Sequence, residues 1–261
     1  MAVLRYPARV QWEVTSECNH DCIHCYNYWR KDKEKASSMS KNFSKEYYVD
    51  LAQKIIEQKP VIVTITGGEP LLVFEKIKPA VEKLLSAGIK VTFNTNATLL
   101  TPDVLEFFEK NDITLFISFP CGVGKVCDAI TNRVNSFEKI ISKLDLLKDS
   151  KVKFTINVVV TNLNLPYVRD TVLFLKTRYN IKNVSITRAA KPANSDETFD
   201  TFYWIERDWR SSRLFLWHYV KNLIFMLQLL VSTHHVVLFL RKYMISLAKK
   251  ISVQPAKRHM L

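Results

Sequence analysis

The chain has 261 residues, 48% of them hydrophobic, enough to bury one substantial core and to fit a single α/β domain with an appendage. Its formal charge of +13 is unevenly placed: from Trp209 to Leu261 nine Lys and Arg face no Asp or Glu, so the preceding body carries only +4 (29 against 25). A body so near neutral argues against a nucleic-acid partner, and five cysteines without an N-terminal apolar export segment argue against a disulfide framework and for a reducing cytoplasm.

VQWEV (10–14) predicts a first strand, leading into the loop CNHDCIHC (18–25). SKEYYVDLAQKIIEQ then predicts a helix capped by Ser44, with Tyr47, Tyr48, Leu51, Ile55 and Ile56 on one apolar face. VIVTIT (61–66) is β-branched throughout, as suits a strand buried on both faces. KIKPAVEKLLSAG predicts a helix closed by Gly88 in the left-handed conformation. IKVTFN is a third strand, and TPDVLEFFEK a helix with Thr101 as N-cap and Pro102 at its first position. DITLFISF is a strand, and NSFEKIISKLDLLK a helix with Ile140, Ile141, Leu144 and Leu147 on one side. KFTINVVV, PYVRDTVLFLKTRY and IKNVSIT complete the series as strand, helix and sixth strand. Six strands alternating with helices predict right-handed crossovers and a parallel sheet, either open or curved into a partial barrel. Chemistry belongs at the carboxyl ends of such strands.

Those ends hold the unusual residues: the cysteine loop after the first strand, GGEP (67–70) after the second and FNTNAT (93–98) after the third. Ser118 ends strand four, Asn157 lies within strand five and Arg188 ends strand six. Three thiolates in one loop hold either zinc, with His20 or His24 as fourth ligand, or an iron–sulfur cluster. All four zinc ligands within eight residues would be cramped. A cubane held by Cys18, Cys22 and Cys25 alone keeps one iron open for a substrate or cofactor, which makes the cluster the better reading. In GGEP the paired glycines allow close backbone approach to a ligand, and Glu69 offers a carboxylate to an ammonium group.

EVTSECNHDCIHCY followed by GGEP resembles the radical S-adenosylmethionine (radical SAM) superfamily, in particular the branch that matures peptides and proteins. The likeness runs from Val10 to about Ala190, and implies a radical SAM core domain over 8–200 with the fold of a partial (β/α)6 barrel. It further implies that Cys18, Cys22 and Cys25 bind a 4Fe-4S cluster whose open iron chelates S-adenosyl-L-methionine. One electron then yields methionine and a 5′-deoxyadenosyl radical that takes hydrogen from a peptide or protein substrate. An electron donor such as flavodoxin or ferredoxin is implied with it. By position, Gly67, Gly68, Glu69 and Pro70 would cradle the methionine amino group, His24 would approach the adenine, and Asn94, Asn96 and Ser118 would meet the cofactor; Asn157 and Arg188 join that set from the last two strands.

Two departures stand out. Relatives commonly read S-L-D-G after strand four and then H-D-x-x-R; here the sequence is SFPCG and CDAIT, with Asp128 kept, Thr131 at the arginine's place and Arg133 two residues on as a replacement carboxylate clamp. Cys121 and Cys127 fall in this stretch as ordinary loop residues. The second departure is 201–261, an atypical basic and apolar tail without cysteine, so the auxiliary-cluster domain of peptide-maturing relatives is not expected in it. Residues 222–240 carry no charge and are just long enough to cross a bilayer, but Gln228 and Ser232–His235 interrupt them. Truncation or a change of frame explains the tail better than membrane contact. A non-catalytic or decayed iron–sulfur or zinc protein of the same fold is the alternative function.

Overall fold

The computed structural model describes residues 6–27, 43–181 and 183–189, all within the first of two units into which the chain divides, Met1–Ile205. Strands β1 (Arg9–Glu13), β2 (Ile62–Thr66), β3 (Lys90–Thr95), β4 (Thr114–Ser118), β5 (Phe154–Val160) and β6 (Val184–Arg188) form one sheet in that order, every pair parallel. A doubly wound sheet reverses its strand order at a switch point, whereas this one advances without reversal, which is the winding of a barrel. Among the described residues β1 pairs only with β2 and β6 only with β5, so the barrel is partial.

The connections are α1 (Lys45–Glu57), α2 (Phe74–Ser86), α3 (Pro102–Lys110), α4 (Gly124–Thr131), α5 (Ser136–Lys148) and α6 (Val168–Tyr179), with single 3-10 turns at Pro70–Val73 and Leu165–Tyr167. The cap signals act as read: Ser44 and Thr101 accept from Tyr47 N and Val104 N, and Gly88 takes φ +77° after α2. Alternation in the strands separates two faces. One buries Trp12, Ile65, Phe93, Ile117 and Ile156 against the helices, with Phe93 and Phe108 of α3 at 4.8 Å between ring centroids. Each such side chain contributes roughly 1.5–3 kcal/mol. The other face is polar and mostly half-buried or exposed: Gln11, Glu13, Thr92, Asn94, Ser118 and Asn157 lie on it. Thr92 donates across it to Thr64 at 3.0 Å.

Three local results differ from the sequence reading. Tyr47 is exposed and stacks on Phe43 at 4.0 Å, while Tyr48 and Ala52 are the buried residues of α1 and Tyr48 donates its hydroxyl to the Val14 carbonyl at 2.8 Å. Leu51, Ile55 and Ile56 pack against the core as half-buried residues, so the expected stripe departs only at Tyr47. Helix α2 begins at Phe74, carried in by the turn from Pro70, two residues before the apolar repeat announced it. Most consequentially, GKVCDAIT is a helix, not a loop. The tail 201–261 lies outside the described residues; among those described, no helix is long and apolar enough to cross a membrane.

Candidate functional site

Parallel pairing of β1 and β2 continues past the strand ends. Val14 N donates to Thr66 O at 3.0 Å, then Gly68 N to Thr15 O and Glu69 N to Glu17 O, each at 2.7 Å. The segment entering the cysteine loop thus lies directly on GGEP. A Cβ on Gly67 would stand 2.3 Å from Thr15 O, and one on Gly68 1.8 Å from Glu17 O; Gly67 also has φ +132°. The close approach that the glycines permit is, at this point, an approach to the chain's own backbone.

Glu69 is 1% exposed and is aimed inward. Its Oε1 accepts from Leu71 N at 3.2 Å and Thr95 Oγ1 at 2.6 Å, and its Oε2 from Asn96 N at 2.8 Å. Where the sequence offered a carboxylate to an ammonium group, the structure uses both oxygens to tie the GGEP loop to the end of β3. Burial pushes the Glu69 carboxyl up to about 7, and the three donors oppose that rise. A carboxyl that holds its proton more tightly folded than unfolded stabilises the fold fully below its ordinary value of 4.5, and that contribution is lost as pH rises through about 7. The unfolding midpoint of the wild-type chain is therefore expected to fall relative to that of Glu69→Gln between about pH 5 and 8, by the equivalent of roughly 3 kcal/mol. Thermal melts of both chains across that range check it; parallel profiles would remove Glu69 as the titrating group.

The loop after β3 turns back on the cysteines. Asn96 Nδ2 donates to Asn19 Oδ1 at 2.7 Å and lies 4.0 Å from Cys18 Sγ, while Asn19 Nδ2 donates to Thr98 Oγ1 at 2.8 Å. On the opposite side α4 ends against the same loop. Its last carbonyls, Ile130 O and Thr131 O, which a helix leaves without internal partners, accept from Ile23 N (2.9 Å) and Asp21 N (3.0 Å). Asn132, left-handed at φ +50°, donates to Asp21 Oδ2 at 2.9 Å, and Arg133 Nε donates to Asn19 O at 3.1 Å. Asp128 accepts from Asn135 N (2.8 Å) and Phe137 N (2.9 Å) and so fixes the elbow into α5. His20 Nε2 lies 3.3 Å from Ser136 Oγ, and burial, with Arg133 and Lys139 nearby, lowers its pKa to about 4. Thr131 reaches the cysteine loop only through its carbonyl, because its hydroxyl donates within the helix to Cys127 O at 3.0 Å.

Clamped between these walls, Cys18, Cys22 and Cys25 are half-buried and none is in a disulfide. His20 N donates to Cys18 Sγ at 3.4 Å, and Cys25 N to Cys22 O at 3.1 Å. Among the described residues no three His, Cys, Asp or Glu side chains converge on a single-ion position. Beside Cys25 are buried polar atoms without hydrogen-bond partners, His24 Nδ1 and both amide atoms of Asn27, which is 2% exposed. Buried polar atoms left unpaired are uncommon, and here they suit an absent group at the cysteine loop. Burial lowers the His24 pKa to about 4, so the ring is neutral. Tyr26 donates to Glu13 Oε1 at 2.9 Å.

Of the remaining predicted residues, Pro70 is buried and opens the 3-10 turn. Asn94, Ser118 and Asn157 share the polar face, Ser118 in register with Asn157, and Thr187 donates to Asn157 Oδ1 at 3.3 Å. Arg188 is opposite Val160 and shares its side of the strand with Val184 and Ile186, which places it on the face away from Asn157. Cys121 and Cys127 are fully buried, the latter in α4, and burial pushes the Cys127 thiol up to about 12. Asn19, Thr95 and Thr98 are site residues that sequence reasoning left without a role; the polar run NTNAT carried the signal for the two threonines, and Asn19 stood between the first two cysteines.

Comparison with known proteins bears on this site. A family profile described as the radical SAM superfamily matches residues 12–175. The AdoMet-dependent heme synthase of Methanosarcina barkeri is 28% identical over 180 residues, covering 66% of this chain and 48% of its own length. Mycofactocin maturase MftC of Mycolicibacterium smegmatis is 27% identical over 201 residues, covering 76% and 48%. The chain thus spans about half the length of these curated relatives. Among solved structures, Streptococcus suis SuiB bound to S-adenosylmethionine superposes with a TM-score of 0.63 at 19% identity, covering 86% of this chain and 49% of SuiB. SuiB bound to precursor peptide SuiA superposes with a TM-score of 0.59, also at 19% identity, over 72% and 40%.

Proposed function

The chain belongs to the radical SAM superfamily, and from that premise we propose that it holds a 4Fe-4S cluster on Cys18, Cys22 and Cys25, cleaves S-adenosyl-L-methionine reductively and modifies a peptide or protein side chain. The observation that carries this reading is the cysteine loop itself: three half-buried thiols within eight residues, on a backbone clamped by α4 and by the β3 loop, beside the unpaired buried atoms of His24 and Asn27. When bound, such a cluster would supply the single electron for reductive cleavage of S-adenosylmethionine, chemistry that belongs to the cofactor and not to the chain.

The chain's own residues have separate tasks. The bonds to Thr15 and Glu17 place the GGEP backbone beside the thiols, where Gly67 to Pro70 hold the methionine amino group. Glu69 keeps that loop in place from behind. Arg133, exposed and tied by Nε to Asn19 O, is the cation for the methionine carboxylate. His24 and Asn27 present unpaired polar atoms to the cofactor. Asn94, Ser118 and Asn157 line the polar face toward substrate, and α4 and the β3 loop exclude water from the back of the cysteines. A peptide substrate draws support from the fold shared with SuiB, which has been solved with a precursor peptide. Likeness to heme synthases favours a tetrapyrrole as the second reading. A flavodoxin or ferredoxin in the cytoplasm would supply the electron.

Anaerobic reconstitution with iron and sulfide tests this. The expected result is a brown chain that, given dithionite and S-adenosylmethionine, releases 5′-deoxyadenosine slowly alone and faster with a precursor peptide. A colourless chain holding zinc sinks the proposal, and acceleration by a porphyrin instead of a peptide selects the second reading.

A further inference from the structure

The side chain of Asn96 is fixed more completely than a ligand-facing residue requires. It is 8% exposed, its backbone N donates to Glu69 Oε2 at 2.8 Å, and the next residue, Ala97, is held left-handed at φ +65° with its N donating to Thr95 Oγ1 at 2.9 Å. Its Oδ1 accepts from Thr98 N at 3.0 Å and from Thr98 Oγ1 at 2.6 Å. A backbone N–H can only donate, so the Thr98 amide decides which end of the carboxamide is oxygen. Nδ2 must then point the other way, to Asn19 Oδ1 at 2.7 Å and past it to Cys18 Sγ at 4.0 Å, the outer reach of an N–H···S contact. The Thr98 hydroxyl completes the ring by accepting from Asn19 Nδ2 at 2.8 Å.

We infer that Asn96 is a positioning residue for electron transfer: locked by Thr98 and Asn19, its amide holds a hydrogen-bond donor toward the Cys18 sulfur and thereby raises the reduction potential of the cluster. The inference rests on the cluster reading above. Reduction adds negative charge that spreads onto the cysteine sulfurs, and a fixed donor stabilises the reduced form more than the oxidised one. The backbone donor His20 N already acts on the same sulfur at 3.4 Å, so Cys18 takes two donors from fixed elements. The polar run after β3 thus has an electronic task as well as a structural one.

The test is a potentiometric titration of the reconstituted full chain, followed by electron paramagnetic resonance, with iron content measured on each sample. Asn96→Ala is expected to keep its iron and to shift the reduction equilibrium about tenfold toward the oxidised cluster, about 59 mV more negative for one electron. Thr98→Val keeps the backbone N–H on Asn96 Oδ1 but removes the hydroxyl that donates to Asn96 Oδ1 and accepts from Asn19 Nδ2; it loosens the amide without releasing it, and is expected to shift the same way by less. Wild-type potentials in both variants at full iron content overturn the inference. Should Asn96→Ala fail to take up iron, Thr98→Val decides alone, and an unshifted potential there is again fatal. A wild-type chain that gives no cluster signal fails the functional reading itself and is recognised because no variant is needed to see it.

Discussion

Alanine at any one of Cys18, Cys22 or Cys25 is expected to abolish cluster absorbance and all cleavage of S-adenosylmethionine, whereas Cys121→Ala combined with Cys127→Ala leaves both in place. The contrast follows from where the sulfurs sit. The first three lie half-buried on the loop after β1 at the carboxyl rim of the sheet. The other two are fully buried; Cys121 Sγ accepts from Val123 N at 3.4 Å and Thr171 Oγ1 at 3.8 Å, and burial raises both thiol pKa values. A thiol held protonated in the interior is a poor ligand, since metals take the thiolate. The double variant loses two small buried groups and is expected to be less stable by about 1–3 kcal/mol, with no loss of iron. Iron analysis and chromatography of released 5′-deoxyadenosine read both arms. A double variant without iron beside a Cys22→Ala chain that keeps it would reverse the ligand assignment.

The strands were legible because their signals are local. VIVTIT and KFTINVVV name themselves by β-branching, and Ser44, Thr101, Pro102 and Gly88 act through bonds and dihedrals within a few residues of their own positions. The strand pattern alone left open sheet and partial barrel undivided, because strand order depends on pairings between distant segments, and the family resemblance supplied the barrel that the strand order bears out. Helix α4 was missed for a related reason: it is 8 residues long, starts at a glycine and has no side-chain cap, and its stability comes from the cysteine loop bonded to its last carbonyls. In the site, the motif residues could be found from spacing, but their tasks could not. Glu69 offers a carboxylate in the sequence, and only the fold shows that it ties two loops together. Arg133 was read as a substitute two places late, and the left-handed turn at Asn132 is what brings its Nε onto Asn19 O. Burial and partner identity decide such roles, and both are set by chain far away in sequence.

Gly68→Ala is expected to cost about 3 kcal/mol or more and to prevent cluster uptake. The added Cβ would stand 1.8 Å from Glu17 O, 2.4 Å from Glu17 C and 2.9 Å from Ser16 O, all backbone atoms that no rotamer change can move aside. Contact no closer than 3.0 Å requires the two loops to part by about 1.2 Å, the difference between 3.0 and 1.8. That displacement breaks the 2.7 Å bonds from Gly68 N to Thr15 O and from Glu69 N to Glu17 O, each worth about 0.5–1.5 kcal/mol net. It also draws Glu69 away from Thr95 and Asn96, and with them the clamp on Cys18 loosens. Gly88→Ala is the control: its φ of +77° brings backbone strain of about 1–2 kcal/mol, but nothing lies within 4 Å of the new methyl and the site is remote. Denaturant unfolding and iron content of both variants separate the effects. If Gly68→Ala unfolds like the wild-type chain and holds its iron but no longer binds S-adenosylmethionine, the glycine exists for the ligand; loss of stability and iron together shows that it exists for the cysteine loop.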